Sequence, residues 1–136
     1  MHHGQSTQYN FYDDPNVLYF SIHRYEHGLY FPHLRESNFD YIGGSKGQPS
    51  YGKNFNIPLN KLGLGDADYL SIFHQVLMPV THEFRPDLIL VSAGYDSAIG
   101  KFFVNFNIFS FNFFEAKKRY ILNCVKIVEE ILVAVT

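Results

Sequence analysis

Apolar and polar residues follow one another in blocks that predict alternating strands and helices. Residues 17–22 form an apolar run with β-branched and aromatic members, typical of a strand buried on both faces of a parallel sheet. Residues 55–59 predict a second short strand, and residues 88–91 a third, buried one. We expect the first strand to end at His23. Residues 24–52, rich in Gly, Pro, Ser and Asn, predict a long ordered loop of the kind that carries function.

Between the second and third strands, apolar residues recur at the spacing of one helix face. They are Tyr69, Leu70, Phe73, Val76, Leu77, Val80 and Phe84. This spacing predicts an amphipathic helix. Asp66 is the predicted N-cap, and Pro79 is expected to kink the helix. A helix followed by a buried strand repeats the α/β alternation of a parallel sheet.

The composition changes after Gly100. Residues 102–114 hold seven of the fourteen Phe of the chain, interleaved with Asn, and residues 121–135 have one apolar face that predicts a helix. We therefore divide the chain into residues 1–100 and, at residues 101–136, an unrelated Phe-rich segment with a C-terminal amphipathic helix. On this division the strands of the first part have open edges, which favours aggregation.

Length, charge and cysteine content limit the class of protein. A chain of 136 residues with 46% hydrophobic residues is sufficient for one domain. The net charge of −2 and the mixed placement of Lys and Arg argue against direct nucleic-acid binding. The single cysteine, Cys124, cannot form an internal disulfide, which favours the cytoplasm or nucleus. No stretch approaches the ~18 apolar residues of a membrane span, and no signal sequence is evident, so we expect no membrane partner.

A carboxylate follows the third strand on a glycine-containing turn. Asp96 ends the segment at residues 90–96 (LVSAGYD), just past the carboxyl end of a strand, where open α/β sheets place their ligands. Three further motifs accompany it, at residues 1–4 (MHHG), 17–28 (VLYFSIHRYEHG) and 30–32 (YFP). Several ordered motifs are far more specific than any one of them.

Together these motifs resemble the catalytic domain of class II zinc-dependent histone deacetylases, the tubulin-deacetylase branch in particular, from His2 to about Gly100. The resemblance implies an α/β fold, a fragment of the arginase/deacetylase three-layer type with a central parallel sheet. It also implies zinc-dependent hydrolysis of acetyl-lysine, with an acetylated protein such as a histone or tubulin as the partner. Related members hydrolyse acetylated polyamines, and that substrate stays open.

A hydrolytic zinc ion normally takes three protein ligands and one water. The resemblance assigns His2 and Asp96 as ligands, and the first Asp of the family's Asp-x-His pair would lie one residue before Met1. A terminal residue such as His2 can also be merely flexible. No residue matches the family's proton-transferring histidines or its carbonyl-binding tyrosine, so no catalytic residue is placed within the chain. We therefore expect a truncated and inactive deacetylase fragment; a non-catalytic interaction remnant or a defective gene product is the alternative.

The resemblance aligns Tyr30 and Phe31 with the aromatic residues of the substrate tunnel. An apolar slot suits an acetylated lysine, because its stem can be desolvated without burying an ammonium group. The alternative is that both are ordinary core aromatics.

Potassium ions beside the zinc are also implied, bound largely by backbone oxygens. The residues aligned with the two sites are Phe11, Asp14 and Val17 for one, and His2, Ser21 and Ile22 for the other. A plain turn at residues 13–15 is the competing explanation. One departure concerns Ser6, which stands where the family commonly has glycine and would strain the turn if its φ were positive.

Overall fold

The computed structural model describes residues 2–92 and 132–135. Its helices and strands are, in chain order, α1 (Gln5–Phe11), β1 (Val17–Arg24), β2 (Asn54–Leu59), α2 (Asp66–Ile72), α3 (Met78–Phe84), β3 (Leu88–Val91) and β4 (Leu132–Val135). One π-helical turn, Phe73–Leu77, joins α2 to α3.

The four strands form one sheet in the order β2-β1-β4-β3. β1 is parallel to β2, and β4 is antiparallel to both β1 and β3. The three strands predicted from sequence therefore run in the same direction, and β4 lies between two of them with the opposite direction. The register places Val135 opposite both Val17 and Leu88. The predicted α/β fold with parallel strands is confirmed, although the sheet is mixed.

β4 corrects two expectations. The helix predicted over residues 121–135 is wrong at Leu132–Val135, which is a strand. The expected open edges are also wrong where β4 pairs with β1 and β3. The physical reason is that an unpaired strand edge offers a row of backbone donors and acceptors, and a segment of Leu, Val and Ala satisfies them well as a strand. Residues 102–114 and 121–131 lie outside the described residues.

The side chains of β1 point alternately to the two faces of the sheet. Phe20 and Ile22 point to one face, where they pack against Phe73 and Leu77 of the helical segment. Tyr19 points to the other face. Every residue of β1 except the last is buried. The prediction of a strand buried on both faces is confirmed, and the strand extends one residue past His23, to Arg24.

The helical segment differs from its prediction at two points. Gly65, not Asp66, is the N-cap, and the Gly65 N–H donates to Asp68 Oδ2 at 2.9 Å. The irregularity near Pro79 is the π-helical turn that precedes it, while Pro79 itself lies at the start of α3. Proline lacks an N–H and crowds the carbonyl four residues earlier, and the wider π turn accommodates both effects.

β3 is not the buried strand that was predicted. Leu88, Leu90 and Val91 are exposed, and Ile89 is the residue of this strand that packs against the core. The reason is position, since β3 lies at the end of the sheet as the structure describes it. Apolar composition alone does not distinguish a central strand from one at an edge.

The predicted long loop is confirmed between β1 and β2, where the chain is irregular apart from short 3₁₀ turns at Glu26–Gly28 and Arg35–Ser37. Ser6 lies inside α1 with ordinary helical backbone, so the strain considered for it does not arise. In the ranges that the structure describes, no helix has both the length and the apolarity to cross a membrane.

Candidate functional site

The face of β1 opposite the helical core carries polar side chains that are fully enclosed. His3 is 2% exposed, and Ser21 and His23 are not exposed at all. The rings of His3 and His23 lie 4.7 Å apart. Because buried polar groups are costly unless they are hydrogen-bonded, the partners of these rings decide their protonation state.

His23 is held as a neutral imidazole with a defined tautomer. Its Nε2 lies 2.8 Å from the carbonyl oxygen of Ser37 and must donate, because a carbonyl only accepts. Its Nδ1 therefore accepts from the Ser21 hydroxyl at 2.9 Å. Burial and the neighbouring His3 lower the pKa of His23 to about 3. The protonation state of this imidazole therefore does not change near neutral pH.

His3 is enclosed in a similar way. Its Nε2 lies 2.7 Å from Gln8 Oε1, which accepts the N–H. Burial lowers the pKa of His3, and the hydrogen bond to Gln8 opposes this shift. Its Nδ1 is buried and has no hydrogen-bond partner in the described part of the chain. His3 thus belongs to the interior and not to an open site.

Gln8 connects His3 to the loop between β1 and β2 and to β2 itself. Its Oε1 also accepts from Asn56 Nδ2 at 2.8 Å and from Asn54 Nδ2 at 3.3 Å. Its Nε2 donates to the carbonyl oxygen of Glu36 at 2.9 Å. Sequence analysis missed this network. The available signal was the two-residue spacing of Asn54 and Asn56, which puts both amides on one face of β2.

His2 has a different environment from His3. Its ring stacks on Tyr30, with 5.6 Å between the centroids and 23° between the planes. The edge of Phe31 approaches it, with centroids 5.7 Å apart and planes at 78°. The predicted metal ligand and both predicted tunnel aromatics are therefore in one cluster. Phe31 is 56% exposed, so it is not an ordinary core aromatic.

The loop that carries these aromatics contains unusual backbone. Glu26 and His27 have φ of 49° and 56°, and His33 has φ of 61°. The His27 N–H donates to Asn60 Oδ1 at 2.7 Å, which ties the turn to the residue after β2. Left-handed conformations of non-glycine residues cost of order 1–3 kcal/mol each and cluster at functional sites. The strain lies at the carboxyl end of β1, where α/β sheets place their ligands.

The described residues do not form a complete zinc site. Asp96 lies outside them, and within residues 2–92 and 132–135 no group of three His, Cys, Asp or Glu side chains could hold a metal ion. A hydrolytic zinc needs three protein ligands. His2 is therefore a single candidate ligand, and Asp96 as its partner stays a prediction.

The potassium assignments also stay predictions. The Phe11 carbonyl accepts from the Asp14 N–H at 3.1 Å, and the Asp14 carbonyl accepts from the Val17 N–H at 3.4 Å. These bonds form the plain turn that was the competing explanation. Ser21 and Ile22 are buried in β1, and the Ser21 hydroxyl is engaged by His23.

Comparison with known proteins gives one family. The histone deacetylase domain matches residues 1–136. Polyamine deacetylase HDAC10 of Rattus norvegicus is 57% identical over 100 residues, which are 74% of this chain and 16% of that protein. Histone deacetylase 6 of Caenorhabditis elegans is 54% identical over 74% of this chain and 10% of its own length. The solved structure of the histone deacetylase Clr3 matches with a TM-score of 0.70 and 47% identity, over 77% of this chain and 17% of that chain. The chain thus spans less than a fifth of these proteins.

Proposed function

This chain belongs to the histone deacetylase domain family, in class II, and on that premise we propose that it forms part of the catalytic domain of a zinc-dependent protein lysine deacetylase. The observation that carries the proposal is the cluster of His2 with Tyr30 and Phe31. It joins a candidate metal ligand to an exposed aromatic wall at the carboxyl end of β1.

An exposed aromatic side chain at this position can recognise acetyl-lysine by its chemistry. Acetylation removes the lysine charge, so the aliphatic stem and the amide can lie against Phe31 without desolvating an ammonium group. An unmodified lysine would carry a hydrated ammonium group at the same place and would gain less from contact with an apolar ring. The wall therefore discriminates modified from unmodified lysine.

The described residues supply one candidate zinc ligand and no proton-transferring residue of the family pattern. We accordingly propose that the chain by itself binds the modified side chain and does not hydrolyse it. A chain that binds the modified side chain and does nothing more is the non-catalytic interaction remnant considered above.

An acetylated polyamine is the second candidate substrate, because a relative 57% identical over the matched residues is a polyamine deacetylase. Such a ligand carries further ammonium groups and needs a free carboxylate. The carboxylate of Glu26, on the same loop as the aromatic cluster, is already paired with Arg24. Arg24 also lies over Tyr30, so this carboxylate is not available to a second cation, which favours the protein substrate.

Binding of three matched ligands to the full chain tests the proposal. A short peptide with acetyl-lysine should shift the NMR signals of Phe31 and Tyr30, whereas the same peptide with unmodified lysine should not. Phe31→Ala should abolish the response, and Phe39→Ala, at a Phe 68% exposed in the same loop, should retain it. A response to an acetylated polyamine alone would favour the second candidate, and equal responses to both peptides would contradict the proposal.

A further inference from the structure

Arg24 connects the carboxyl end of β1 to the aromatic cluster of His2, Tyr30 and Phe31. It is the last residue of the strand, and its guanidinium carbon lies 4.2 Å from the centroid of the Tyr30 ring. At this distance a guanidinium is attracted to the face of an aromatic ring, and its planar shape also limits the tilt of the ring.

A second contact fixes the guanidinium itself. Arg24 Nε donates to the carboxylate of Glu26, whose backbone is held in a left-handed turn with φ of 49°. The backbone of Tyr30 is tied to the same region, because its N–H donates to the carbonyl oxygen of Tyr25 at 3.1 Å. Both ends of the Arg24–Tyr30 contact are therefore anchored beside β1.

The next contact in this series is with His2. The neighbours of an imidazole ring restrict the directions in which its nitrogens can point. The Tyr30 ring stacks on it at 23° between planes, and Phe31 approaches its edge. Two rings thus restrict the orientation of His2, and one of them, Tyr30, is itself held by Arg24.

We propose that Arg24 is a positioning residue, whose guanidinium, held by Glu26, fixes the Tyr30 ring and through it the orientation of the His2 imidazole. The benefit of this orientation for metal binding by His2 rests on the proposed function, whereas the orientation itself does not. Groups that orient a ligand histidine contribute substantially to a metal site, because the imidazole must present one nitrogen in a defined direction.

The test uses the metal-free full chain with labelled histidine side chains, observed by NMR. The stacked Tyr30 ring shifts the signals of the His2 ring, and Tyr30→Leu defines their positions without it. Arg24→Met should move the His2 signals most of the way to the Tyr30→Leu positions. Arg24→Lys keeps a cation but loses the planar contact with Glu26, so its signals should lie between those of Arg24→Met and the unaltered chain.

Arg35→Met is the matched control. Arg35 also pairs with a carboxylate, that of Asp40, and lies 5.4 Å from the centroid of a different ring, that of Tyr41. This variant should leave the His2 signals in place. Unchanged His2 signals in Arg24→Met, or an equal shift in Arg35→Met, would overturn the proposal.

A further measurement on the unaltered chain covers the case in which Arg24→Met does not fold. Nuclear Overhauser contacts should join the Arg24 δ protons to the Tyr30 ring, and the Tyr30 ring to the His2 ring. Their absence would overturn the proposal equally. No metal or substrate is present in these measurements, so failure of the deacetylase assignment would leave their result unaffected.

Discussion

The His3 and His23 rings lie 4.7 Å apart with their planes at 58°. Both are buried on the face of β1 opposite the helical core. Neither can gain a proton there without placing a charge where water does not reach. This relationship makes the stability of the fold dependent on pH.

We predict that the chain loses stability as the pH falls below about 6.5. The pKa of His23 is about 3 in the folded state against 6.5 for a free imidazole, so the unfolded state binds the proton first. The contribution of His23 is complete above the unfolded pKa and is lost progressively toward pH 3, by up to about 1.4 kcal/mol per pH unit. Burial lowers the pKa of His3 in the same direction.

Urea unfolding between pH 7.5 and 4.5 measures this loss. His33→Gln, at an exposed histidine, should show the same pH dependence as the unaltered chain. A free energy of unfolding that is the same at pH 7.5 and pH 5 would contradict the assignment of a buried neutral pair.

Replacing the central amide of the polar interior should be strongly destabilising. Gln8→Leu would leave the N–H of His3 without its acceptor, at a cost of about 1–3 kcal/mol for the buried orphan. It would also remove one of the acceptors of Asn56 Nδ2, which still donates to the carbonyl oxygens of Glu36 and Asn38. Gln48→Leu, at an exposed glutamine, is the control and should change the free energy of unfolding by less than about 0.5 kcal/mol. Similar denaturation midpoints for the two variants would show that the network contributes little.

Gly44 should not tolerate a methyl group. Its φ is +52°, and a Cβ built there lies 2.3 Å from Ser50 Oγ and 3.1 Å from the Tyr51 nitrogen. Gly44→Ala therefore adds a steric clash to a strained backbone, and we expect a loss of more than about 1 kcal/mol. Gly65→Ala, where a Cβ meets no atom of the described residues within 4 Å and φ is not positive, should cost less. Thermal unfolding of both variants makes the comparison, and a Gly44→Ala chain as stable as the parent would refute the predicted clash.

Breaking β4 should expose the edges of two strands. Val133 lies opposite Tyr19 on one side and Leu90 on the other, and proline at this position removes a backbone donor from the middle of the sheet. We expect Val133→Pro to melt at lower temperature and to scatter more light, because unpaired edges favour aggregation. Val133→Ile keeps the β-branched side chain and should behave like the parent. Equal scattering by both variants would show that β4 does not protect these edges.

Zinc should not remain bound to the isolated chain after dialysis. The resemblance assigns two zinc ligands in this sequence, His2 and Asp96, and three are needed for a hydrolytic site. Metal analysis after dialysis should find well under one zinc per chain, with hydrolysis of an acetyl-lysine peptide at background. Stoichiometric zinc that is lost on both His2→Ala and Asp96→Ala, but retained in His74→Ala, would show that the chain completes its own site.

The sequence by itself determined the elements in which local pattern and burial agree. β1 is recognised from the apolar run at residues 17–22 without distant information, since such a run is stable in the middle of a sheet. The helical spacing of apolar residues from Tyr69 to Phe84 is likewise recognised from neighbouring sequence alone. The motif containing His2 and the one containing Tyr30 and Phe31 identified the family, because several ordered motifs together are specific.

Only the tertiary structure decided which neighbours these elements have. The residues at 132–135 fit a helix face by spacing, yet pairing with β1 and β3 makes them a strand, because backbone hydrogen bonds to two neighbours outweigh a weak local preference. The sequence of β3 predicts a buried strand, but the strand is largely exposed because its position in the sheet sets its burial. His2 and His3 are adjacent in sequence, yet one joins an aromatic cluster and the other a buried polar network. That difference arises from which side chains surround each ring, and sequence spacing does not encode it.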